Sequence, residues 1–323
     1  MTGRAIAASS IEPRVEHYLK AEQALWDHYG LHPTERFVQL DSPRVRLRVL
    51  EVGSGKPVLF VHGTVGPGSW PSLIREMPGV RAIVLDRPGW GLSEPLDFSK
   101  HEYRKVAADI LRGVLDALGI ERADVVGGSI GDVWALSLAE HHPSRVDHVV
   151  LLGVGPVVSE IQLPRFIRVL ASPIGAIIVR LPTKADRMRS ILRDSGHGPS
   201  LDAGRIPDAF VDWRVALGND TPSMRHERDM VRSIVRGSGW RPGFMYEDGE
   251  LSRIQQPTLF VYGTADHAGS VDIWRRVAGV LPHGVFQLVD GAGHMPWFDD
   301  PQGIAAHVSR FLATSPAATD RAS

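Results

Sequence analysis

Six short and almost continuously apolar stretches alternate with amphipathic helical patterns along most of this chain of 323 residues. Apolar runs without an inside–outside alternation indicate strands that are covered on both faces. Their alternation with helices predicts an α/β fold with a mostly parallel central sheet and helices on both faces. A period-two pattern from Phe37 to Leu50 adds an antiparallel hairpin. The six predicted strands are 57–61, 81–85, 124–126, 146–152, 257–262 and 285–289.

The alternation stops after the fourth of these strands and resumes at the fifth. The residues between them follow a helical pattern that prolines interrupt repeatedly. We therefore expect an inserted helical cap, 154–249, on an α/β core formed by 36–153 and 250–313. An N-terminal tail and helix, 1–35, and a flexible C-terminal tail, 314–323, complete the predicted organisation.

A serine stands between glycines directly after the third strand, in the sequence Gly127-Gly128-Ser129-Ile130-Gly131. A sharp strand–turn–helix crowds the backbone, so its flanking residues must lack a Cβ, and the serine hydroxyl then projects from the edge of the sheet. The same pentapeptide also suits a glycine turn in a nucleotide-binding or structural loop. The rest of the chain has to distinguish these two interpretations.

Two further polar side chains follow later strands, Asp266 after the fifth and His294 after the sixth. Loops beyond the carboxyl ends of parallel strands meet at one edge of a sheet, so we expect both beside Ser129. A serine nucleophile needs a base that a carboxylate orients, and Ser…Asp…His is the chain order of this fold. We therefore predict that Ser129, Asp266 and His294 are the catalytic residues. Asp290 and Glu160 are the other carboxylates near suitable loops, but Asp290 is too close to His294 in sequence.

The tetrahedral intermediate of such a reaction needs two amide donors for its oxygen. We assign the backbone N–H groups of Thr64 and Ile130 to this oxyanion hole. His62 is expected to hold the loop after the first strand. A mainly apolar substrate pocket is predicted from four side chains: Val65, Trp213, Met295 and Trp297.

The charge balance and the lack of cysteine exclude several classes of function. The formal net charge is −1, and no basic stripe indicates a nucleic-acid partner. The absence of cysteine excludes disulfides, thiolate metal sites and a cysteine nucleophile. The most apolar internal run, 169–179, is about half the length that spans a bilayer, which indicates a buried or interfacial segment. We expect a cytoplasmic protein that has a small-molecule substrate and no membrane span. The sequence does not specify its oligomeric state.

With these motifs the chain resembles enzymes of the α/β-hydrolase fold. The resemblance covers about 36–153 and 250–313, and it implies serine hydrolase chemistry without a metal or cofactor. It does not name a substrate, because no motif matches the cap. Asp132 is a departure, since most relatives have glycine after the serine turn. Five motifs occur in the family's order: His62-Gly63, Asp86-Arg87-Pro88-Gly89-x-Gly91-x-Ser93, Gly127-x-Ser129-x-Gly131, Gly263-x-x-Asp266 and Gly293-His294.

Three functions follow from this resemblance. The main prediction is an esterase that cleaves an ester, thioester or lactone through an acyl-enzyme. The loop His62–Gly68 is also similar to that of carbon–carbon bond hydrolases of meta-cleavage products, although that group usually has tryptophan where this chain has Met295. This second function requires a carboxylate-binding side chain, for which Arg165, Arg168 and Arg214 are candidates by composition. A non-catalytic ligand-binding protein is the third.

Overall fold

A computed structural model describes residues 13–155 and 157–314. Residues 1–12 of the predicted N-terminal region and 315–323 of the predicted C-terminal tail lie outside the described part. Ten strands occur in it: β1 Thr34–Asp41, β2 Arg44–Val52, β3 Lys56–Val61, β4 Val80–Leu85, β5 Ala123–Gly128, β6 Val146–Leu152, β7 Val235–Arg236, β8 Gly239–Trp240, β9 Thr258–Gly263 and β10 Gly284–Val289. Eight of them form one sheet in the order β1-β2-β4-β3-β5-β6-β9-β10. Strands β1 and β2 form the predicted hairpin, and β2 is antiparallel to β4. All later neighbours are parallel.

Fourteen α-helices surround the sheet in the described part of the chain: α1 Pro13–His28, α2 Pro71–Arg75, α3 Tyr103–Ala117, α4 Ile130–His141, α5 Arg165–Ala171, α6 Pro173–Ile178, α7 Ala185–Leu192, α8 Gly198–Asp202, α9 Asp208–Asp220, α10 Ser223–Ile234, α11 Asp248–Leu251, α12 Val271–Val280, α13 Pro296–Asp299 and α14 Pro301–Leu312. No helix among these residues is long and apolar enough to cross a membrane.

Successive side chains of the central strands enter two different hydrophobic clusters. Along β3, Leu59 and Val61 join a cluster that includes side chains of α3, α4 and α12. Val58 and Phe60 join a second cluster with side chains of α1, α2 and α14. Because side chains alternate across a strand, both faces of the sheet are covered, which explains the continuous apolar runs in the sequence. The predicted α/β fold with a mostly parallel sheet is confirmed.

The segment between β6 and β9 contains helices α5 to α11 and the short antiparallel pair β7–β8. The helical pattern of the sequence did not predict this pair. Apolar side chains of the segment enter both clusters of the core, Ile167 the first and Phe210 the second. The segment therefore packs against the core directly, and its delimitation as a cap at 154–249 stays a prediction.

A buried ionic cluster fixes helix α1 to the sheet. Arg48 on β2 donates to both carboxylate oxygens of Glu22 on α1, at 2.5 and 3.0 Å, and to Asp86 at 3.4 Å. The Tyr18 hydroxyl also donates to Glu22. Burial raises the pKa of Asp86 to about 7, against the opposing effect of Arg48. A buried charge is tolerated where it is paired in this way.

Candidate active site

The backbone at Ser129 is strained, as the serine turn requires. Strand β5 ends at Gly128 and α4 begins at Ile130, and Ser129 between them has φ 57° and ψ −123°. It is the only non-glycine residue with positive φ in the described part of the chain. A Cβ on Gly127 would lie 2.7 Å from the Cα of Asp132, so this position has to be glycine. Such strain persists where the surrounding structure enforces it, and it concentrates at functional sites.

The structure brings together the three side chains that were predicted to act together. Nε2 of His294 lies 3.1 Å from Oγ of Ser129, and Nδ1 lies 2.9 Å from Oδ2 of Asp266. Asp266 is buried, and its other carboxylate oxygen accepts from the Ala268 amide. Ser129 and His294 are partly exposed. This arrangement can transfer the serine proton to the imidazole while the carboxylate fixes the tautomer.

The environment of His294 favours its charged form. Burial alone would lower its pKa, but the charge of Asp266 and the hydrogen bond to it outweigh burial, and the pKa is raised above 6.5. The imidazolium that forms during proton transfer is therefore stabilised by the neighbouring carboxylate.

The other two carboxylates that the sequence offered lie elsewhere. Asp290 accepts a hydrogen bond from the Thr264 hydroxyl at 3.0 Å. Glu160 forms an ion pair with Arg276 at 2.7 Å. Each of them has a partner of its own, and neither hydrogen-bonds to the imidazole of residue 294 in the described structure.

The loop after β3 lies against Ser129. A Cβ on Gly63 would lie only 2.7 Å from the Cβ of Ser129 and 3.3 Å from its Oγ. The Gly63 carbonyl accepts from Nδ1 of His62 at 2.7 Å and from the Arg87 guanidinium at 3.2 Å. Because N–H and C=O point in opposite directions across a trans peptide, these bonds aim the Thr64 N–H away from His62 and Arg87.

Both amides assigned to the oxyanion hole are available for a ligand. Ile130 is the first residue of α4, where a helix N–H has no intrahelical acceptor. Within 13–155 and 157–314, neither the Ile130 amide nor the Thr64 amide donates to a backbone carbonyl. Their assignment remains a prediction that this geometry allows. The part played by Arg87 in orienting the Gly63 carbonyl was not visible in the sequence.

Three of the four predicted pocket side chains are packed into the interior. Trp213 lies against Gly68, where a Cβ would come within 2.6 Å of its indole. Trp297 stacks on Trp70 at 4.7 Å, and its N–H donates to the Ser69 carbonyl. Met295 is also buried, whereas Val65 is half-buried. Their role towards a substrate stays a prediction.

Of the three candidate arginines, one is buried beside the site. Arg165 and Arg168 are exposed on α5. Arg214 on α9 is 6% exposed, and its Nη2 lies 3.5 Å from the Thr64 carbonyl and 3.0 Å from the Met224 sulfur. Its Nη1 has no hydrogen-bond partner among the described residues. Burial lowers the pKa of Arg214 to about 10, and Glu227 opposes this shift.

A turn of the segment between β6 and β9 holds the loop that carries His294. The backbone amides of three consecutive residues in this loop donate hydrogen bonds, two of them to that turn and one to Asp299, which is itself bonded to His197. Gly293 N–H donates to Asp299 at 2.8 Å, His294 N–H to the Ser195 carbonyl at 2.9 Å, and Met295 N–H to Nε2 of His197 at 3.1 Å. Nδ1 of His197 in turn donates to Asp299 at 2.8 Å. These hydrogen bonds were not predicted from the sequence, because the residues that form them are far apart in the chain.

Asp132, the departure noted after the serine turn, is fully buried in the first turn of α4. One carboxyl oxygen accepts from the Leu152 amide at 3.3 Å, and the other has no partner in the described residues. Burial raises the pKa of Asp132 well above 3.8. Its backbone amide donates to the Ser129 carbonyl at 2.9 Å. Asp132 is thus bonded to the serine turn through its backbone and to the end of β6 through its side chain.

A mostly parallel eight-stranded sheet, with a serine turn after β5 and an Asp–His pair after β9 and β10, defines the α/β-hydrolase class. The sequence profile of the alpha/beta hydrolase fold family matches residues 56–301. This match covers most of the chain, and the protein belongs to that family.

Two of the relatives of this chain are named as hydrolases of 2-hydroxy-6-oxo acids. A 2-hydroxy-6-oxononadienedioate/2-hydroxy-6-oxononatrienedioate hydrolase of Paraburkholderia phymatum is 29% identical over 86% of this chain and 96% of its own. A 2-hydroxy-6-oxo-6-phenylhexa-2,4-dienoate hydrolase of Burkholderia cepacia is 24% identical over 87% of this chain and 96% of its own. Among solved structures, the naproxen esterase of Bacillus subtilis superposes with a TM-score of 0.73 at 17% identity, covering 94% of this chain and 100% of its own. This likeness shows the fold alone.

Proposed function

We propose that this hydrolase cleaves a carbon–carbon bond beside a ketone in a conjugated keto acid. Compounds of this class appear in the names of its relatives. Ser129 is the nucleophile, His294 the general base and acid, and Asp266 the residue that orients the imidazole. Hydrolase chemistry on a small molecule is common to the family. The choice of a carbon–carbon bond over an ester is supported by relatives that align over 86% or more of this chain.

The observation that carries this choice is the unpaired guanidinium of Arg214. A buried cation normally has an anionic partner, since its desolvation is costly. Arg214 contacts a neutral carbonyl and a sulfur, and the nearby carboxylate of Glu227 instead accepts from Arg87 and from Trp90. A substrate carboxylate at Nη1 would supply the missing partner. Because Arg214 contacts the Thr64 carbonyl, this proposed anion site would lie next to the proposed oxyanion hole.

The proposed reaction uses each of these groups in turn. The enol proton of the substrate first moves to the carbon beside the ketone, which gives the diketo tautomer. The oxygen of Ser129 bonds to the ketone carbon as its proton passes to Nε2 of His294, and the amides of Thr64 and Ile130 hold the resulting oxyanion. The adjacent carbon–carbon bond then breaks, and its electron pair is delocalised over the departing fragment as a dienolate, which takes the proton back from His294. Water, deprotonated by the same imidazole, releases the acyl group as a carboxylic acid.

Ester hydrolysis, the main prediction from the sequence, is the second candidate. It is favoured by Met295, which stands directly after His294 where carbon–carbon bond hydrolases usually have tryptophan. The nearest tryptophan, Trp297, is stacked on Trp70 and hydrogen-bonded to a backbone carbonyl. The Trp297 side chain is therefore held in the protein interior by these two contacts.

A comparison of two substrates separates the two candidates. The purified enzyme is assayed with 2-hydroxy-6-oxo-6-phenylhexa-2,4-dienoate, by loss of its absorbance, and with p-nitrophenyl butyrate. We expect the keto acid to have the higher kcat/KM. Arg214→Gln should lower kcat/KM for the keto acid about 100-fold or more, and for the neutral ester much less.

Arg168→Gln is the matched control, because this arginine is exposed, and it should change neither rate. A wild-type enzyme that turns over the ester but not the keto acid would establish the esterase. If Arg214→Gln lowers kcat/KM equally for both substrates, Arg214 does not bind a substrate carboxylate. Its role would then be to support the Thr64 loop.

A further inference from the structure

The surface formed by α5, α6 and the turn after them is unusually apolar. Most of the large apolar side chains that are strongly exposed in the described structure lie within one stretch of sixteen residues. Monomeric proteins rarely expose contiguous apolar patches of this kind unless the patch contacts something. The exposed side chains are Phe166 (62%), Val169 (43%), Ile174 (62%), Ile177 (64%) and Leu181 (60%).

The same surface carries positive charge and no negative charge of its own. Between residues 161 and 185 the sequence has four basic residues and neither aspartate nor glutamate. All four basic side chains are exposed: Arg165, Arg168, Arg180 and Lys184. The chain as a whole has a formal charge of −1, so this concentration of positive charge is local.

A surface cavity of about 400 Å³ adjoins this patch at Leu181. Its lining includes the guanidinium-bearing side chains of Arg14, Arg180 and Arg225. Asp220 is its acidic member, and this carboxylate is paired with His17 at 2.6 Å. Because three arginines line the cavity and its carboxylate is already paired, the cavity is suited to an anionic group next to Leu181.

We propose that the α5–α6 surface, defined as residues 165–184, docks on a lipid bilayer that contains anionic headgroups. Apolar side chains with basic residues around them are the composition of helices that lie in the membrane interface. Phe166, Ile174, Ile177 and Leu181 enter the boundary between headgroups and acyl chains, while the basic side chains contact the headgroups. Both helices are far too short to span a bilayer, so the protein lies on the surface.

Vesicle flotation tests this proposal without any measurement of activity. The full chain is mixed with vesicles of phosphatidylcholine alone or of phosphatidylcholine with phosphatidylglycerol, and is then centrifuged through a density gradient. We expect binding to the anionic vesicles, weaker binding to the neutral ones, and loss of binding at high salt. The variant Phe166→Asp/Ile177→Asp should bind at least about tenfold more weakly.

A second variant removes charge instead of apolar surface. Arg180→Gln/Lys184→Gln should weaken binding to anionic vesicles about fivefold per charge. Val285→Asp on β10 and Arg310→Gln on α14 are the matched controls, since both side chains are exposed on the α/β core, and they should bind like the wild type. Circular dichroism of each variant establishes that it is folded.

Two results would overturn the proposal. One is a wild type that floats with neither kind of vesicle. The other is a wild type that sediments as a dimer in the ultracentrifuge while Phe166→Asp/Ile177→Asp sediments as a monomer. That outcome would make the surface an interface between two copies of the chain.

Discussion

His197 accepts a hydrogen bond from the backbone amide of Met295, the residue that follows His294, at 3.1 Å. The other ring nitrogen donates to Asp299, which also accepts from the Gly293 amide. The position of the His294 backbone therefore depends on a side chain from the segment between β6 and β9. Since a small displacement of a catalytic group has a large effect on rate, we treat His197 as a positioning residue.

Replacement of His197 by phenylalanine should lower kcat about ten- to hundredfold with little change in KM. The ring keeps its volume, but the Met295 amide loses its acceptor, which should also cost about 1–3 kcal/mol of stability. Asp299 loses one donor and keeps the Gly293 amide. Steady-state kinetics and urea denaturation measure the two effects.

His148→Phe is the matched control for this variant. His148 is equally buried and hydrogen-bonds to Asp124 at 2.8 Å, but it lies on β6 near the amino end of the strand, at the edge opposite to the site. It should lose comparable stability and keep its kcat. Similar losses of kcat in both variants would show that His197 acts only through global stability.

The pH dependence of the reaction should report the raised pKa of His294. The base acts only when neutral, so kcat/KM should fall as the pH drops through a pKa above 6.5. Asp266→Asn removes the charge that raises this pKa, so it should shift this limb to lower pH. It should also reduce kcat by about 1,000-fold or more, because the tautomer is no longer fixed. If the fall of kcat/KM at low pH does not move in Asp266→Asn, the titrating group is not His294.

The contribution of His294 to stability has the opposite dependence on pH. A histidine with a raised folded pKa stabilises the native state fully below its unfolded pKa, and this contribution is lost as the pH rises through the folded pKa. The enzyme should therefore gain activity over the same interval in which the Asp266–His294 pair ceases to add stability.

Much of the fold and the three site side chains followed from the sequence, because their signals are local. Apolar runs marked the buried strands, and glycines around Ser129 marked a turn that admits no Cβ. The order of parallel strands then placed Asp266 and His294 at one edge. Each step needed only neighbouring residues and a rule about sheets.

The supporting contacts could not be predicted in the same way, since they join distant parts of the chain. His197 and Asp299 are separated by 102 residues, and neither lies in a recognisable motif. Arg165, Arg168 and Arg214 looked alike by composition, and only packing shows that the third is buried beside Thr64. A side chain's burial depends on tertiary contacts that periodicity does not specify.

The nucleophilic role of Ser129 is tested by covalent labelling. A fluorophosphonate probe should label the wild type rapidly, since Oγ lies 3.1 Å from the imidazole that activates it. Ser129→Ala should not be labelled, whereas Ser137→Ala should be labelled like the wild type, because Ser137 is buried and donates to the Val133 carbonyl. An unlabelled wild type would favour the ligand-binding protein over either hydrolase.

The buried ion pair between Arg48 and Glu22 should contribute to the attachment of α1. Glu22→Gln leaves Arg48 with only Asp86 and Glu35 as anionic neighbours, and should lower the free energy of unfolding by up to about 3 kcal/mol. Glu16→Gln is the matched control on the exposed side of α1, where the pair with Lys20 is open to solvent. Its effect should be much smaller, since exposed pairs contribute little. Equal effects in urea denaturation would contradict the assigned role of the cluster.

Asp132 should make the protein less stable as the pH rises. Because burial raises the pKa of this carboxyl in the folded state, the native protein holds a proton that the unfolded chain releases above about pH 4. Stability contributed by this proton is present at low pH and falls by up to about 1.4 kcal/mol per pH unit until the folded pKa is reached. Asp132→Asn has nearly the same shape and cannot ionise, so it should be more stable than the wild type at pH 8, by a margin that shrinks towards pH 4. Urea denaturation across this range measures the margin, and Asp272→Asn, whose side chain is 93% exposed, is the matched control. A margin that does not vary with pH would show that Asp132 is charged in the folded state.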